Sequence, residues 1–264
     1  MNWDLYWRFE AFRRACDPLD FRKWKRDSQR ALRGLYPGPD VRLLDATAGM
    51  GDHTVNLAEE GFVVECTDES PRARAMTRDA LEQAGLQVPV HDVRWQDLAD
   101  AMPGRFDLVF NDALHWTYDE EEMRAALRGT LGALRPGGAL VFFFADARKP
   151  AEDCGRRLLD LEWEPKSVPR LGWSHATPQC EVTLTLHATK GPDHIDEHHV
   201  YLERDLESGA LAPSVLTMRH VYRWDWFHLV PMLEEAGFVD VRTDVFPNVA
   251  LGYDFALNRA FRPA

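Results

Sequence analysis

Cysteine is scarce in this chain, and its spacing excludes two kinds of small stabilised domain. The four cysteines, Cys16, Cys66, Cys154 and Cys180, lie far apart, and none belongs to a Cys-x-x-Cys pair. Such spacing forms neither a disulfide framework nor a structural zinc site. We therefore expect reduced thiols, no bound metal and a cytoplasmic location.

Long apolar runs are also missing. The longest, GGALVFFFA at 137–145, is far shorter than the roughly 20 residues that span a bilayer. The amino end, MNWDLYWRFEAFRR, has no apolar stretch of the kind found in export signals. The sequence thus predicts a soluble protein with no membrane partner.

Positive charge is in deficit, with 31 Lys and Arg against 43 Asp and Glu and a net charge of −12. Because such a chain repels polyanions, we expect no nucleic-acid partner. The basic residues concentrate at one end: residues 1–36 hold nine of them, five acids and a series of aromatic side chains. This segment predicts a helical lid or, alternatively, an amphipathic helix docked on an acidic body.

What is present is a regular alternation of apolar runs and helical patterns. The chain has 264 residues, of which 45% are hydrophobic, enough for one large α/β domain with an insertion. The predicted strands, separated by helical patterns, are 41–46, 62–67, 88–90, 107–111 and 139–145. Alternation of this kind predicts a mostly parallel sheet covered by helices.

Four signals mark where the predicted helices begin and end. Asp52 is expected to cap one helix and Ser70-Pro71 to open the next. The acidic run at 119–122 suits the first turn of a later helix. That helix is expected to stop at a turn, Arg135-Pro136-Gly137-Gly138.

The pattern changes between about 150 and 224. Period-two stretches at 182–189, 199–206 and 215–224 predict an inserted antiparallel meander. A helix at 226–238 and a closing antiparallel pair, 239–246 and 255–261, follow. We expect a lid segment (1–36), an α/β domain (37–150 with 225–264) and an inserted substrate-side subdomain (151–224).

The stretch LLDATAGMGDHT at 43–54 carries the most chemical information. Gly49 and Gly51 form a turn between a strand and a helix, where a ligand can approach the backbone. Asp68, after the second strand, suits the hydroxyls of a ribose. Asp45, just before the glycines, would repel a pyrophosphate and attract an ammonium or a sulfonium. This loop therefore favours S-adenosylmethionine over a dinucleotide.

These residues resemble class I S-adenosylmethionine-dependent methyltransferases. The resemblance rests on the glycine turn, on Asp68, on FDLVFNDALHW at 106–116 and on the Leu-x-Pro-Gly-Gly motif at 134–138. It implies a Rossmann-like methyltransferase sheet, S-adenosyl-L-methionine as methyl donor and S-adenosyl-L-homocysteine as product. The cofactor-binding residues that it implies on these motifs are Asp45, Ala46, Thr47, Gly49, Gly51, Asp68, Glu69 and Asn111.

Two further segments are similar to the glycine and sarcosine N-methyltransferases: LAEEGFVV at 57–64 and VRWQDL at 93–98. This similarity implies that Arg94 and Trp95 lie against the adenine, with Trp95 stacking on it. Arg22 corresponds to an arginine that grips the methionine carboxylate. Arg148 lies slightly after the place of the arginine that binds the acceptor's carboxylate.

Residues that follow the fourth strand are expected to meet the methyl acceptor. His115 is the candidate general base, needed for a hydroxyl acceptor and dispensable for a neutral amine. Trp116 and Tyr118 are candidate substrate contacts, as is Tyr6 on the N-terminal helix, although Trp116 could simply pack the rim. The run DHIDEHH at 193–199 could bind a metal, but a solvated hairpin turn is favoured.

The function predicted from the sequence is N-methylation of a small molecule by in-line transfer. O- or C-methylation of a secondary metabolite is the alternative within the class. Outside it stand a non-catalytic partner subunit that binds S-adenosylmethionine and a nicotinamide-dependent oxidoreductase. Binding of the respective cofactors separates these classes.

Overall fold

A computed structural model describes residues 2–16, 21–117, 119–143, 169–191, 194–221, 226–248 and 253–264. Within them lie the helices α1 (Trp3–Cys16), α2 (Phe21–Leu35), α3 (Asp52–Glu59), α4 (Pro71–Gln83), α5 (Leu98–Ala101), α6 (Glu120–Ala133) and α7 (Trp226–Ala236). The strands are β1 (Arg42–Asp45), β2 (Val63–Thr67), β3 (Val90–His91), β4 (Phe106–Asn111), β5 (Leu134–Phe143), β6 (Arg170–Ala176), β7 (Cys180–Lys190), β8 (His194–Asp205), β9 (Leu211–Val221), β10 (Val239–Asn248) and β11 (Tyr253–Phe261).

The larger sheet has seven strands in the order β10-β11-β5-β4-β1-β2-β3. The pairs from β5 through β3 are parallel, whereas β11 pairs antiparallel with both β5 and β10. The predicted Rossmann-like methyltransferase sheet, mostly parallel with an antiparallel closing pair, is confirmed. Its strand order reverses next to β1, and open sheets of this kind bind ligands at such a point.

Both faces of the sheet are buried at its central strands, which explains why β1 and β4 are mostly apolar. Neighbouring residues Leu43 and Leu44 on β1 point to opposite faces, and both are fully buried. On one face Leu44 belongs to a core with Leu127 of α6 and Leu233 of α7. On the other, Leu43 packs with Leu32 of α2 and residues of α3.

The second sheet is antiparallel, in the order β6-β7-β8-β9. The period-two pattern correctly predicted three of its strands but not β6. One face carries an apolar cluster that includes Leu184, Leu216 and Met218, and α1 docks on it through Phe9. The Phe9 ring stacks on Tyr201 with centroids 4.0 Å apart and an interplanar angle of 8°. Helix α1 also contacts α4, and it thereby connects the second sheet to the part of the chain that contains the larger sheet.

Helix boundaries agree with the predicted signals at two places. The Ser70 hydroxyl accepts the Ala73 N–H at 3.1 Å, and Pro71 occupies the first turn of α4. The Asp119 carboxylate accepts the Glu122 N–H at 2.8 Å and caps α6. Both caps satisfy an N–H group that has no partner within its helix.

Two predicted boundaries were wrong. Asp52 is the first helical residue of α3, and Gly51 precedes it with φ 85°, a conformation that suits glycine. The motif at 134–138 lies inside β5, because Gly137 and Gly138 bond to Arg262 after β11. Those bonds extend the strand through the expected turn.

The run at 193–199 was also misjudged, since residues from His194 onward form β8. In the described part of the chain, no group of histidine, cysteine and acidic side chains has the geometry of a metal site. None of the helices among these residues has the length and hydropathy needed to cross a membrane.

Candidate active site

The site lies where β1 ends and the glycine loop begins. Gly49 and Gly51 have φ values of 54° and 85°, in the left-handed region that favours glycine. A Cβ on Gly51 would lie 3.1 Å from the Ala80 side chain, so this glycine lets α4 pack closely. A Cβ on Gly49 would lie 2.8 Å from the Trp7 ring. The absence of a side chain at Gly49 thus allows the Trp7 ring of α1 to pack directly on the loop.

A cavity of about 490 Å³ opens at this loop. Its walls come from α1, the β1 loop, the ends of β2 and β4, the segment after β3, and β9. The predicted site residues that line it are Tyr6, Ala46, Thr47, Gly49, Asp68, Glu69, Arg94, Trp95 and Trp116. Residues far apart in the chain therefore meet around one space at the carboxyl ends of the parallel strands.

Three predicted residues lie behind the wall of this cavity. The buried Asp45 carboxylate accepts the Thr54 hydroxyl at 2.7 Å and the Thr47 N–H at 3.0 Å. Burial raises its pKa. The Asn111 side chain is buried, and its oxygen accepts the Ala113 N–H at 2.9 Å. Asp45, Gly51 and Asn111 thus lie outside the cavity lining, and their roles toward a donor stay predictions from the sequence.

Four other predicted residues cannot be placed in the site. Tyr118 and Arg148 lie outside the described residues. The side chains of Arg22 and His115 lie outside the described part of the structure as well. Their assignments stay predictions from the sequence.

Asp68 is held with both oxygens against backbone. One accepts the Gly49 N–H and the other the Ser70 N–H, each at 2.9 Å. Burial raises the pKa of this carboxyl to about 6, against the lowering effect of these two bonds. A carboxylate oxygen has two lone pairs, so each can accept a further hydrogen bond from the cavity.

The Trp95 indole is fixed at the same end of the cavity. Its N–H donates to the Ala46 carbonyl at 2.6 Å, which ties the segment after β3 to the glycine loop. The neighbouring Arg94 pairs with Asp97 at 2.9 Å and is largely exposed. Trp95 therefore offers a positioned aromatic face, whereas the Arg94 guanidinium is held at the rim.

Helix α1 covers the cavity from the opposite side. Asp4 contacts the Ser70 hydroxyl at the start of α4, and Trp7 lies over Gly49. Burial, together with the negative charge of Glu10, raises the pKa of Tyr6 to about 12. A helix that contacts both the loop and the second sheet limits the access of water to the cavity.

Sequence reasoning missed several charged residues of the wall. Arg14 of α1 bonds to Asp52 at 2.6 Å, and Lys25 of α2 lies 3.9 Å from the same carboxylate. Both cations line the cavity. The concentration of basic residues in 1–36 was visible in the sequence, but helical packing decides which of them reach the site.

A second missed pair joins α3 to the end of β4. The His53 Nε2 lies 2.7 Å from the Asp112 carboxylate, and Gln29 contacts the other ring nitrogen, Nδ1, at 2.5 Å. Burial acts to raise the pKa of Asp112, but the adjacent His53 outweighs it and holds that pKa well below its usual range. Asp112 lines the cavity. Both residues stand in quoted motifs, at 43–54 and 106–116, yet only the fold brings them together.

The family model described as "Methyltransferase domain" matches residues 43–138. That stretch contains the glycine loop, Asp68, Trp95 and Asp112. Residues 43–138 are thus a methyltransferase domain. The predicted resemblance is confirmed at this level, and the cavity lies at the edge of that domain where its parallel strands end.

Known methyltransferases resemble the chain over different lengths. It is 31% identical to the tRNA 5-carboxymethoxyuridine methyltransferase of Escherichia coli over 124 residues, 46% of each protein. It is 32% identical to the glycine/sarcosine N-methyltransferase of Halorhodospira halochloris over 104 residues, 38% of each. The chain spans about half the length of the curated relatives it matches.

One structural neighbour covers nearly the whole fold. An amino pentose methyltransferase from Micromonospora echinaspora, solved with S-adenosylmethionine bound, superposes with a TM-score of 0.63 at 20% identity. The match covers 96% of each chain. The second sheet and α1 thus belong to a fold that is found in another methyltransferase.

Proposed function

We propose that the chain is an S-adenosylmethionine-dependent methyltransferase that methylates a nitrogen atom of a small molecule. The observation that carries the proposal is the cavity in which the glycine loop, Asp68 and Trp95 of the methyltransferase domain face α1 and the second sheet. One side of it supplies groups for the donor. The other supplies walls for an acceptor.

The donor side fits S-adenosylmethionine. Asp68 retains lone pairs for the two ribose hydroxyls, and the Trp95 ring is positioned to stack on the adenine. The loop residues Ala46, Thr47 and Met50 line the cavity, so the methionine part can lie along the loop. Arg14 and Lys25 line the cavity. Together with Arg22, which was predicted from the sequence, they are the candidates for binding the carboxylate of the methionine part.

Methyl transfer needs alignment and exclusion of water more than proton transfer. S-adenosylmethionine supplies a methyl group bound to a sulfonium. A nucleophile attacks the methyl carbon in line with the C–S bond, and the sulfur leaves. Helix α1 packs on the second sheet. In the proposed reaction, these two elements enclose the methyl donor and the acceptor and keep them aligned. A neutral amine requires no base, so the His115 assignment matters for a hydroxyl acceptor.

A small acceptor is supported by the size and cover of the site. The volume of about 490 Å³ falls within the range of about 300–1,000 Å³ that is usual for small-molecule sites. The likeness to the tRNA methyltransferase covers less than half of that enzyme, so it carries no argument for an RNA acceptor. The likeness to the glycine/sarcosine N-methyltransferase also covers less than half of that enzyme, so the choice of nitrogen rests on the segments at 57–64 and 93–98, which are similar to the glycine and sarcosine N-methyltransferases.

Calorimetry and mass spectrometry test this function. We expect S-adenosylmethionine and S-adenosylhomocysteine, but not NAD, to bind the purified chain. Incubation of the S-adenosylmethionine complex with a pool of small amines should give a product heavier by one methylene. Asp68→Asn should weaken donor binding, whereas Asp79→Asn, at an exposed position on α4, should not. Binding of NAD instead, or donor binding with no methylated product, would refute the proposal.

A further inference from the structure

One carboxylate in the cavity wall is differently placed from its neighbours. Glu10 pairs with Arg13 and Arg14, and Asp52 with Arg14 and Lys25. Asp112 has no arginine or lysine within 4.0 Å among the described residues, and its ion-pair partner there is His53. It exposes 27% of its side chain. Asp112 therefore faces the cavity with no lysine or arginine bonded to it, a property that it shares with Asp68, the predicted ribose ligand.

Buried polar groups hold Asp112 in a fixed orientation. His53 is 5% exposed, and its ring lies against Phe110 with centroids 4.9 Å apart. The Gln29 amide nitrogen donates to His53 Nδ1, and the Asn56 amide donates in turn to the Gln29 oxygen at 3.5 Å. Since Nδ1 accepts a hydrogen bond, Nε2 carries the proton that is donated to Asp112.

The topology places Asp112 beside the reacting end of the donor. Asp68 follows β2 and Asp112 follows β4, on opposite sides of β1 in the sheet. If Asp68 holds the ribose, the donor runs along the β1 loop toward Asp112. Tyr6, Trp116 and Met218 also line the cavity and belong to one apolar cluster, and the charge of Asp112 acts on Tyr6. A carboxylate among aromatic walls is an arrangement that recognises a cation.

We propose that Asp112 binds the amino group of the methyl acceptor, and that the acceptor is therefore a small primary or secondary amine. This inference rests on the proposed function of the same cavity. Asp112 accepts a hydrogen bond from the acceptor nitrogen and orients its lone pair toward the methyl group. His53 is a positioning residue that fixes the carboxylate.

The transfer balances without any further reactant. The acceptor arrives as an ammonium, loses one proton to solvent water and becomes a neutral amine. Its lone pair forms the new N–C bond while the C–S bond breaks, and the electrons of that bond stay on sulfur. The positive charge moves from sulfur to nitrogen, where the adjacent Asp112 carboxylate stabilises it. The methylated ammonium then leaves and can release its own proton to water.

Matched amines and alcohols test the proposal on the chain saturated with S-adenosylhomocysteine. The probes are glucosamine against glucose and benzylamine against benzyl alcohol, titrated by calorimetry. We expect at least one amine to bind at least tenfold more tightly than its alcohol. Asp112→Asn should abolish that preference and change the affinity for S-adenosylhomocysteine less than threefold. Asp79→Asn should change neither value.

Variants of His53 separate positioning from folding. His53→Asn retains a hydrogen-bond donor and should keep part of the amine preference, whereas His53→Leu should lose it. Both should unfold at similar denaturant concentrations.

Each other outcome overturns the inference. If neither amine binds, or if alcohols bind equally well, Asp112 does not select an amine. If Asp112→Asn instead lowers the affinity for S-adenosylhomocysteine tenfold, Asp112 binds the amino group of the donor and not that of the acceptor. Failure of the unchanged chain to bind S-adenosylhomocysteine would refute the proposed function itself, which keeps the two failures distinct.

Discussion

Donor affinity should depend on pH through Asp68. Burial raises the pKa of this carboxyl to about 6 in the free protein, and only its ionised form can accept hydrogen bonds from both ribose hydroxyls. Donor binding must therefore displace a proton at low pH. If only the ionised form binds, Kd scales with 1 + 10^(pKa − pH), so it rises about tenfold between pH 7 and pH 5, about 1.4 kcal/mol.

Calorimetry with S-adenosylhomocysteine at pH 5, 6 and 7 measures this dependence. Asp68→Asn should lose about 1–3 kcal/mol of donor affinity at pH 7, or about 5- to 150-fold in Kd. The remaining affinity should change little with pH. Asp79→Asn serves as the control for the loss of one carboxylate. A pH dependence that is absent from the unchanged chain, or that persists in Asp68→Asn, would refute the reasoning.

Three further predictions concern how α1 and the loops meet. Gly49→Ala adds a Cβ 2.8 Å from the Trp7 ring at φ 54°, and should cost about 1–2 kcal/mol from the backbone alone; a denaturant midpoint equal to that of the unchanged chain would contradict this. Phe9→Ala removes the stack on Tyr201 and should cost about 3–5 kcal/mol of packing, detected as faster hydrogen exchange throughout α1; unchanged exchange would mean that α1 is held by other contacts. Trp95→Phe loses the bond to the Ala46 carbonyl and should weaken donor binding by about 1 kcal/mol, less than Trp95→Ala does; equal affinities in calorimetry would exclude stacking.

The larger sheet was predictable because its determinants are local. The central parallel strands are buried on both faces, so they appear as short apolar runs, as at 41–46 and 107–111. Ser70 and Asp119 mark helix starts through bonds to residues three positions away. The start of β5 could not be predicted, since the bonds of Gly137 and Gly138 are to Arg262, far along the chain.

The site was predictable only where a motif carries it. Asp68 and Gly49 were found because their spacing follows the β1–α3–β2 unit, and they bond to each other directly. The direction of the Asp45 carboxylate was not predictable because it depends on Thr54, in the first turn of α3. His53 and Asp112 are 59 positions apart in the sequence, so no local pattern predicts their contact.

A crystal structure of the chain with S-adenosylhomocysteine bound shows whether this cavity holds the methyl donor. We predict that the ligand fills the cavity, with its ribose hydroxyls within hydrogen-bond distance of Asp68 and its adenine against Trp95. The thioether sulfur should point toward the end of β4, beside Asp112. A ligand bound outside this cavity, or one whose ribose makes no contact with Asp68, would contradict the account.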